Sequence, residues 1–314
     1  MIIKSIIVGV DNMGRTRRET MKADGRYEIL NAYDYNDEFL SLCVKEEGCR
    51  KAGCYDELLE TEGAEAVFIC TGAKFHAEQI VKALKTGLHV FVEKPLCSTN
   101  DELNEILNVM KKTGKKIQVG HNDYSTDPYS RYIKEEIESK RLGEPVAFEK
   151  TTAHSGGFVM EQGDWRNDPD KNPGGMLFQC GVHSLFELMY YFGPVEKVAS
   201  HMRYDVHTSS TADAAVCILT FKNGVVGTLN AYHVTPYRHN LNVFGTKKNI
   251  YVNNRFHTEG TLIHEQALSL HGPQTMEQVM IKANPIRQQV SELFTKRSVM
   301  PALPILNRQQ TQSG

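Results

Sequence analysis

The stretch IIVGVDNMGR, residues 6–15, decides how the chain is read. An apolar run reaches Gly9, a second glycine follows at Gly14, and residues 13–23 have helix-compatible composition with Asn12 as the expected N-cap. Strand, glycine turn and helix in that order bring backbone N–H groups and a helix N-terminus up to a phosphate. Gly9, Asn12, Met13 and Gly14 are therefore candidate pyrophosphate-binding positions. One residue departs from the G-x-G-x-x-G pattern: Asp11 stands where the second glycine belongs. A carboxylate there adds bulk and repels phosphate. We expect it to point away from the ligand or to pair with Arg15, Arg17 or Arg18.

Working outward, strand and helix signals alternate. Residues 27–33 read as a strand that ends at Asp34, about twenty residues beyond Gly14. An acid there accepts hydrogen bonds from adenosine ribose hydroxyls and repels a 2′-phosphate. No arginine follows in Tyr35-Asn36-Asp37, so NAD is favoured over NADP. Further strands are expected at 66–70, 89–92 and 116–119, with helices at 37–47, from about 75 to 86, and from a Thr99/Glu102 capping box to about 112. Strands separated by helices form a parallel sheet with right-handed crossovers. Residues 1–120 are thus expected to be a doubly wound α/β domain. The turns bearing Thr71, Gly72, His76 and Glu93-Lys94-Pro95 follow strands, so they should lie at the carboxyl edge, where open α/β sheets bind ligands.

After Gly120 the rhythm changes. Helices are expected at 128–139 and 176–192, and strands at 145–152, 195–204, 214–221, 225–234 and 240–244. Asn223-Gly224 between two β-rich runs signals a hairpin. Residues 121–314 therefore read as an α+β domain with a large open mixed or antiparallel sheet. A helix is expected at 284–296 and little order beyond it.

Bulk properties exclude other classes. The formal net charge of −2 offers no broad basic surface for nucleic acid. The apolar runs are strand-sized, not bilayer-sized. The opening MIIKSIIVGV is too short an apolar run for a signal peptide. Cys43, Cys49, Cys54, Cys70, Cys97, Cys180 and Cys217 are odd in number and form no CxxC pair. They read as reduced thiols of a cytoplasmic protein, and the spacing of the first three fits no common zinc pattern, so no metal is expected.

The ordered series GVDNMGR (9–15), Asp34, FICTG (68–72), His76, EKP (93–95), GHN (120–122), GDWRNDP (163–169) and PGGMLFQCGVH (173–183) resembles the glucose–fructose oxidoreductase, inositol dehydrogenase and MocA (Gfo/Idh/MocA) family over roughly residues 1–300. The resemblance implies a Rossmann domain for NAD(P) and a second domain for substrate binding and oligomerisation, in a homo-oligomer such as a dimer or tetramer. It also implies hydride transfer at hydroxyl or carbonyl groups of sugars, inositols and related polyols. By that resemblance Lys94 sits beside the nicotinamide and binds the reacting oxygen. Glu93 lies near the nicotinamide ribose, and Thr71, Gly72, His76 and Asn122 contact other parts of the cofactor. Removing hydride from a secondary alcohol also requires loss of the hydroxyl proton, for which lysine and histidine are suited.

Gln179 and His183 stand at i and i+4 on the expected helix and share a face. The family's pair is usually Asp and His, both aimed at the substrate hydroxyl. His183 keeps its place, whereas Gln179 can orient substrate but cannot take a proton. Trp165 and Arg166 suit sugar recognition, and Tyr124 and His154 are further candidates for the same cleft. Asp11 and Gln179 leave two other readings open. One is an NAD-retaining enzyme that cleaves or isomerises glycosides through transient oxidation. The other is a catalytically impaired, dinucleotide-binding regulatory relative.

Overall fold

The computed structural model describes residues 2–121, 124–125, 127–159, 168, 172, 174–204, 211–253, 260–267 and 276–282, the last two stretches as backbone. Its first sheet begins with β1 (Ile3–Val8). Ser5 to Val8 are all buried, which is what a central parallel strand covered on both faces requires. Then follow α1 (Met13–Asp24), β2 (Tyr27–Tyr33), α2 (Asp37–Glu47), β3 (Arg50–Lys51), α3 (Tyr55–Leu59), β4 (Ala66–Ile69), α4 (His76–Lys85), β5 (His89–Val92), α5 (Asn100–Thr113) and β6 (Ile117–Val119). The strand order is β3-β2-β1-β4-β5-β6, and every pairing is parallel. The chain reverses its winding between β1 and β4, so the turns after those strands open onto one crevice.

Local chemistry accounts for the boundaries. Helix α2 starts where the Asn36 side chain accepts from the N–H groups of Glu38 and Phe39. Helix α5 carries the full Thr99/Glu102 capping box. Helices α1, α2 and α5 each end on a left-handed glycine, at Gly25, Gly48 and Gly114.

The second sheet has eight strands in the order β14-β13-β12-β11-β7-β10-β9-β8, drawn from β7 (Pro145–Ala153), β8 (Val195–Arg203), β9 (Ala214–Phe221), β10 (Val226–Tyr232), β11 (Arg238–Gly245), β12 (Lys248–Val252), β13 (Gly260–Ala267) and β14 (Met276–Lys282). It is mixed: β7 and β10 run parallel and the other neighbours antiparallel. Asn223-Gly224 does join a hairpin, between β9 and β10. One face packs on α6 (Pro128–Glu138) and α7 (Val182–Phe192) around Phe148, Leu188, Phe192, Leu219 and Phe221. The alternate residues of β9, Val216 and Ile218, are exposed on the other face, as is Val198 of β8. Inside the covered face, Lys150 of β7 and Glu187 of α7 form an ion pair at 2.7 Å with both side chains 1% exposed. Tyr191 donates to the other carboxylate oxygen.

Several expectations need correction. Residues 176–192 are not one α-helix. Leu177–Gly181 is a π turn that leads into α7. Strands β12, β13 and β14, the two-residue β3 and the five-residue α3 were not anticipated. The expected helix at 284–296 lies outside the described residues. Among the described residues no helix is long and apolar enough to cross a membrane, and no cluster of His, Cys, Asp or Glu is arranged to hold a metal ion.

Candidate active site

The turn after β1 is closed by glycine for steric reasons. Gly9 has φ +79°, and a Cβ there would stand 2.7 Å from the Cys70 carbonyl carbon. A Cβ on Gly14 would stand 1.9 Å from the Gly9 carbonyl oxygen. The first turn of α1 thus packs directly on the turn and on the end of β4. Asn12 occupies the N-cap position at φ 43° but makes no side-chain cap. Its amide donates instead to the Asp11 carboxylate at 2.9 Å. That corrects the arginine pairing expected for Asp11. Arg15 pairs with Glu19 and Glu46, Arg17 with Glu93, and Arg18 with Glu46 and Glu47. No side chain caps α1, and within the turn the Gly14 N–H donates to the Asp11 carbonyl at 2.8 Å. Met13, the first residue of the helix, is 37% exposed.

Asp34 lies at the end of β2, beside this turn. Its carboxylate accepts from the Val10 N–H at 2.8 Å and the Asn36 N–H at 2.9 Å. Each carboxylate oxygen keeps a further acceptor direction.

The turns after β4 and β5 are tied together by one ring. His76 is 1% exposed, with Nδ1 2.6 Å from the Pro95 carbonyl and Nε2 3.0 Å from the Thr71 carbonyl. Burial pushes its pKa down, against both main-chain contacts. The buried imidazole therefore ties the two turns to each other. The Thr71 hydroxyl donates to Gln79 at 2.6 Å, and Gly72 precedes the short helical turn Ala73–Phe75. Glu93 is 5% exposed and is held by Arg17 Nε at 2.6 Å. The same guanidinium lies over the Phe91 ring, 5.0 Å from its centre.

Lys94, joined to Pro95 by a cis peptide bond, crosses to the second domain. Its Nζ donates to the main-chain carbonyl of Gln179 at 2.7 Å. Gln179 lies in the π turn, and His183 follows at the start of α7. π turns widen a helix locally and recur at functional sites. Sequence reasoning named the GHN motif but missed His121 as a site residue. Its ring stacks on Phe186 with centres 4.5 Å apart and meets the His183 ring edge-on at 5.6 Å. Burial and the Lys94 charge hold the His121 pKa down. The Nδ1 of His121 and the Nε2 of Gln179 are buried with no hydrogen-bond partner among the described residues. A polar ligand arriving there would relieve two unmet hydrogen-bonding groups.

The remaining candidates divide. Tyr124 is 2% exposed, and its hydroxyl donates to the His183 carbonyl at 2.8 Å, so it braces α7. His154 lies against Cys180, next to Gln179. Asn122, Trp165 and Arg166 lie outside the described residues.

Comparison with known proteins now has a geometry to meet. Residues 3–121 match an oxidoreductase family with an NAD-binding Rossmann fold, and residues 130–251 match the GFO/IDH/MocA C-terminal domain. The chain belongs to the Gfo/Idh/MocA oxidoreductase family. It is 28% identical over 220 residues to scyllo-inositol 2-dehydrogenase (NAD(+)) of Bacillus subtilis, a match covering 68% of this chain and 62% of the relative. It is 24% identical over 277 residues to myo-inositol 2-dehydrogenase of Thermotoga maritima, covering 83% and 78%. An NAD-binding oxidoreductase structure from Klebsiella pneumoniae superposes at TM-score 0.79 with 18% identity, covering 94% of this chain and 88% of that one, and it bears out the fold. In family terms, the crevice between β1 and β4 belongs to the nicotinamide dinucleotide-binding Rossmann fold.

Proposed function

We propose that this family member is an NAD-dependent oxidoreductase that exchanges a hydride with a hydroxyl or carbonyl carbon of a sugar, inositol or related polyol. The observation that carries the reading is the bridge from Lys94 to the π turn, flanked by the unmet Nε2 of Gln179 and Nδ1 of His121. The names of the two inositol dehydrogenase relatives support the substrate class.

The residues present fit a dinucleotide. Helix α1 has no side-chain cap, Gly9 and Gly14 admit no side chain, and the Asp34 carboxylate is ordered at the strand end. Asp34 favours NAD, because a 2′-phosphate would meet a carboxylate that Val10 and Asn36 already fix in place. Gly9, Asn12, Met13 and Gly14 line the pyrophosphate turn. Glu93 serves the nicotinamide ribose, Thr71 and Gly72 contact other parts of the cofactor, and His76 ties the turns that carry them.

When bound, the nicotinamide ring supplies or accepts the hydride. The chain's own residues manage the substrate oxygen. Lys94 exchanges its hydrogen bond with the Gln179 carbonyl for one to the reacting oxygen and stabilises charge there. His183 takes or returns the hydroxyl proton. The Gln179 amide and His121 Nδ1 orient the substrate, and Tyr124 fixes the His183 segment from behind. His154, against Cys180 beside Gln179, is the further described candidate for substrate contact, and the sequence offers Trp165 and Arg166 for the same role. The division between cofactor domain and substrate domain falls near residue 120, and the open sheet face joins copies of the chain.

The test has two parts. Purified protein is denatured and any released nucleotide identified by mass spectrometry, with NAD and NADP titrations if none is released. A sugar and polyol panel is then assayed with NAD. NAD selectivity and NADH formation are expected. NADP selectivity would overturn the role of Asp34, and no turnover of any panel member at any pH would overturn the activity.

A further inference from the structure

Cys180 belongs to the π turn, directly after Gln179, and is partly exposed. Its Sγ lies 3.4 Å from His154 Nε2. The other ring nitrogen of His154 fixes how this contact is read. The Gly156 N–H points at Nδ1 from 3.0 Å, so Nδ1 is an acceptor and carries no proton. In the neutral ring the proton then resides on Nε2, and Nε2–H donates to the sulfur. The ring is held in this pose by His233, which meets it edge-on at 90° with centres 4.6 Å apart and is itself 6% exposed. Gly156 is needed for the arrangement, since a Cβ there would stand 2.7 Å from the His154 ring. An N–H donor fixed on sulfur stabilises the thiolate relative to the thiol. Among the other thiols, Cys43, Cys49 and Cys217 are buried, and burial pushes the thiols of Cys70 and Cys97 up. Cys54 is exposed and also accepts an N–H, from Glu57 at 3.4 Å, but among the described residues no histidine meets it, and Asp56 and Glu57 beside it are acidic.

We propose that Cys180 is a nucleophilic thiol, oriented by His154, that takes soft carbon electrophiles such as haloacetamides and α,β-unsaturated carbonyl compounds. With a haloacetamide the sulfur forms a bond to the methylene carbon, halide leaves, and the thiol proton goes to buffer. With an unsaturated carbonyl compound the sulfur adds to the β carbon and the proton ends on the α carbon. Neither step needs an oxidant or a reductant. An adduct stands beside Gln179, on the wall that meets Lys94, so thiol modification and the Lys94 contact converge on one turn. The proposal rests on the contacts of Cys180 and stands or falls separately from the hydride-transfer reading.

The experiment is limited labelling of the full chain with iodoacetamide near neutral pH, with each cysteine quantified by peptide mass spectrometry. Cys180 is expected to react about tenfold faster than Cys97, and His154→Leu is expected to slow it about tenfold while the Cys54 rate stays unchanged. Equal rates at Cys180 and Cys97, or a Cys180 rate indifferent to His154→Leu, would overturn the proposal. If His154→Leu does not fold, the pH dependence of labelling in the unaltered chain decides. Half-maximal reactivity of Cys180 at lower pH than that of Cys97 supports the assignment, and the same or a higher pH refutes it.

Discussion

The two sheets hold their charges to different depths. Around the Rossmann crevice each ion pair buries one partner and leaves the other partly exposed, Glu93 against Arg17 and Arg18 against Glu46 and Glu47. In the second domain an ion pair is sunk into the core itself, where Lys150 meets Glu187 beneath the helix that bears His183. A half-buried pair keeps hydration on one side only. A buried pair forfeits hydration on both sides and is tolerated only while both partners remain. The first arrangement leaves the crevice adjustable. The second fixes the register of α7 on β7.

This contrast can be broken by mutation. Lys150→Met strands a buried carboxylate and should cost about 3–5 kcal/mol in urea unfolding, whereas Lys150→Met combined with Glu187→Leu should recover most of that loss. A single-mutant cost within measurement error would mean that the pair is hydrated after all. Next in size is the response to acid. Burial holds His76, His121 and His154 below the ordinary value of 6.5, so they stay neutral in the folded chain after the unfolded chain has charged. Their stabilisation is complete above that value and is lost as the pH falls through their folded pKa values. The slope is up to about 1.4 kcal/mol per pH unit for each ring. Melting followed from neutral pH downward should show it, and His121→Phe should flatten it. Arg17→Ala should cost about 1–3 kcal/mol, because it leaves the buried Glu93 carboxylate without its charged partner. It should weaken NADH binding more than it lowers the melting temperature, because Glu93 loses its anchor. Unchanged NADH affinity would remove Glu93 from the cofactor site. Smallest in stability is Ile218→Glu on the open sheet face, expected within about 0.5 kcal/mol. Light scattering should nonetheless show a smaller assembly, and an unchanged mass would clear this face of any role in association.

The same contrast explains what the sequence made legible. Parallel strands buried on both faces are continuous apolar runs, so β1, β4 and β5 stand out, and the glycines and caps between them name their own turns. The two-residue β3 consists of Arg50 and Lys51, both exposed, and carries no apolar signal. In the second domain the decisive contacts span long separations. Lys150 reads as an outward lysine until Glu187 is folded against it, and His154 has no visible partner until Cys180 arrives. The π turn is invisible because i, i+4 spacing is read the same way whether the helix widens or not. His121 was overlooked because its value lies in ring contacts with Phe186 and His183, which no local pattern encodes. Of the two alternatives for Asp11, the arginine pairing is absent for a simpler reason: the neighbouring Asn12 amide meets the carboxylate, and the three arginines are engaged elsewhere.

His76 carries a consequence for binding entropy. Because one buried ring touches the carbonyls of both Thr71 and Pro95, the turns after β4 and β5 form a single stiff jaw instead of two independent loops. A ligand that settles against a stiff jaw loses its own freedom but forces little further ordering on that side. The ordering cost of capture is then concentrated on the opposing wall, the one built from the π turn and α7. Variants that loosen His76 should therefore dissociate ligand faster even though the ring itself is buried.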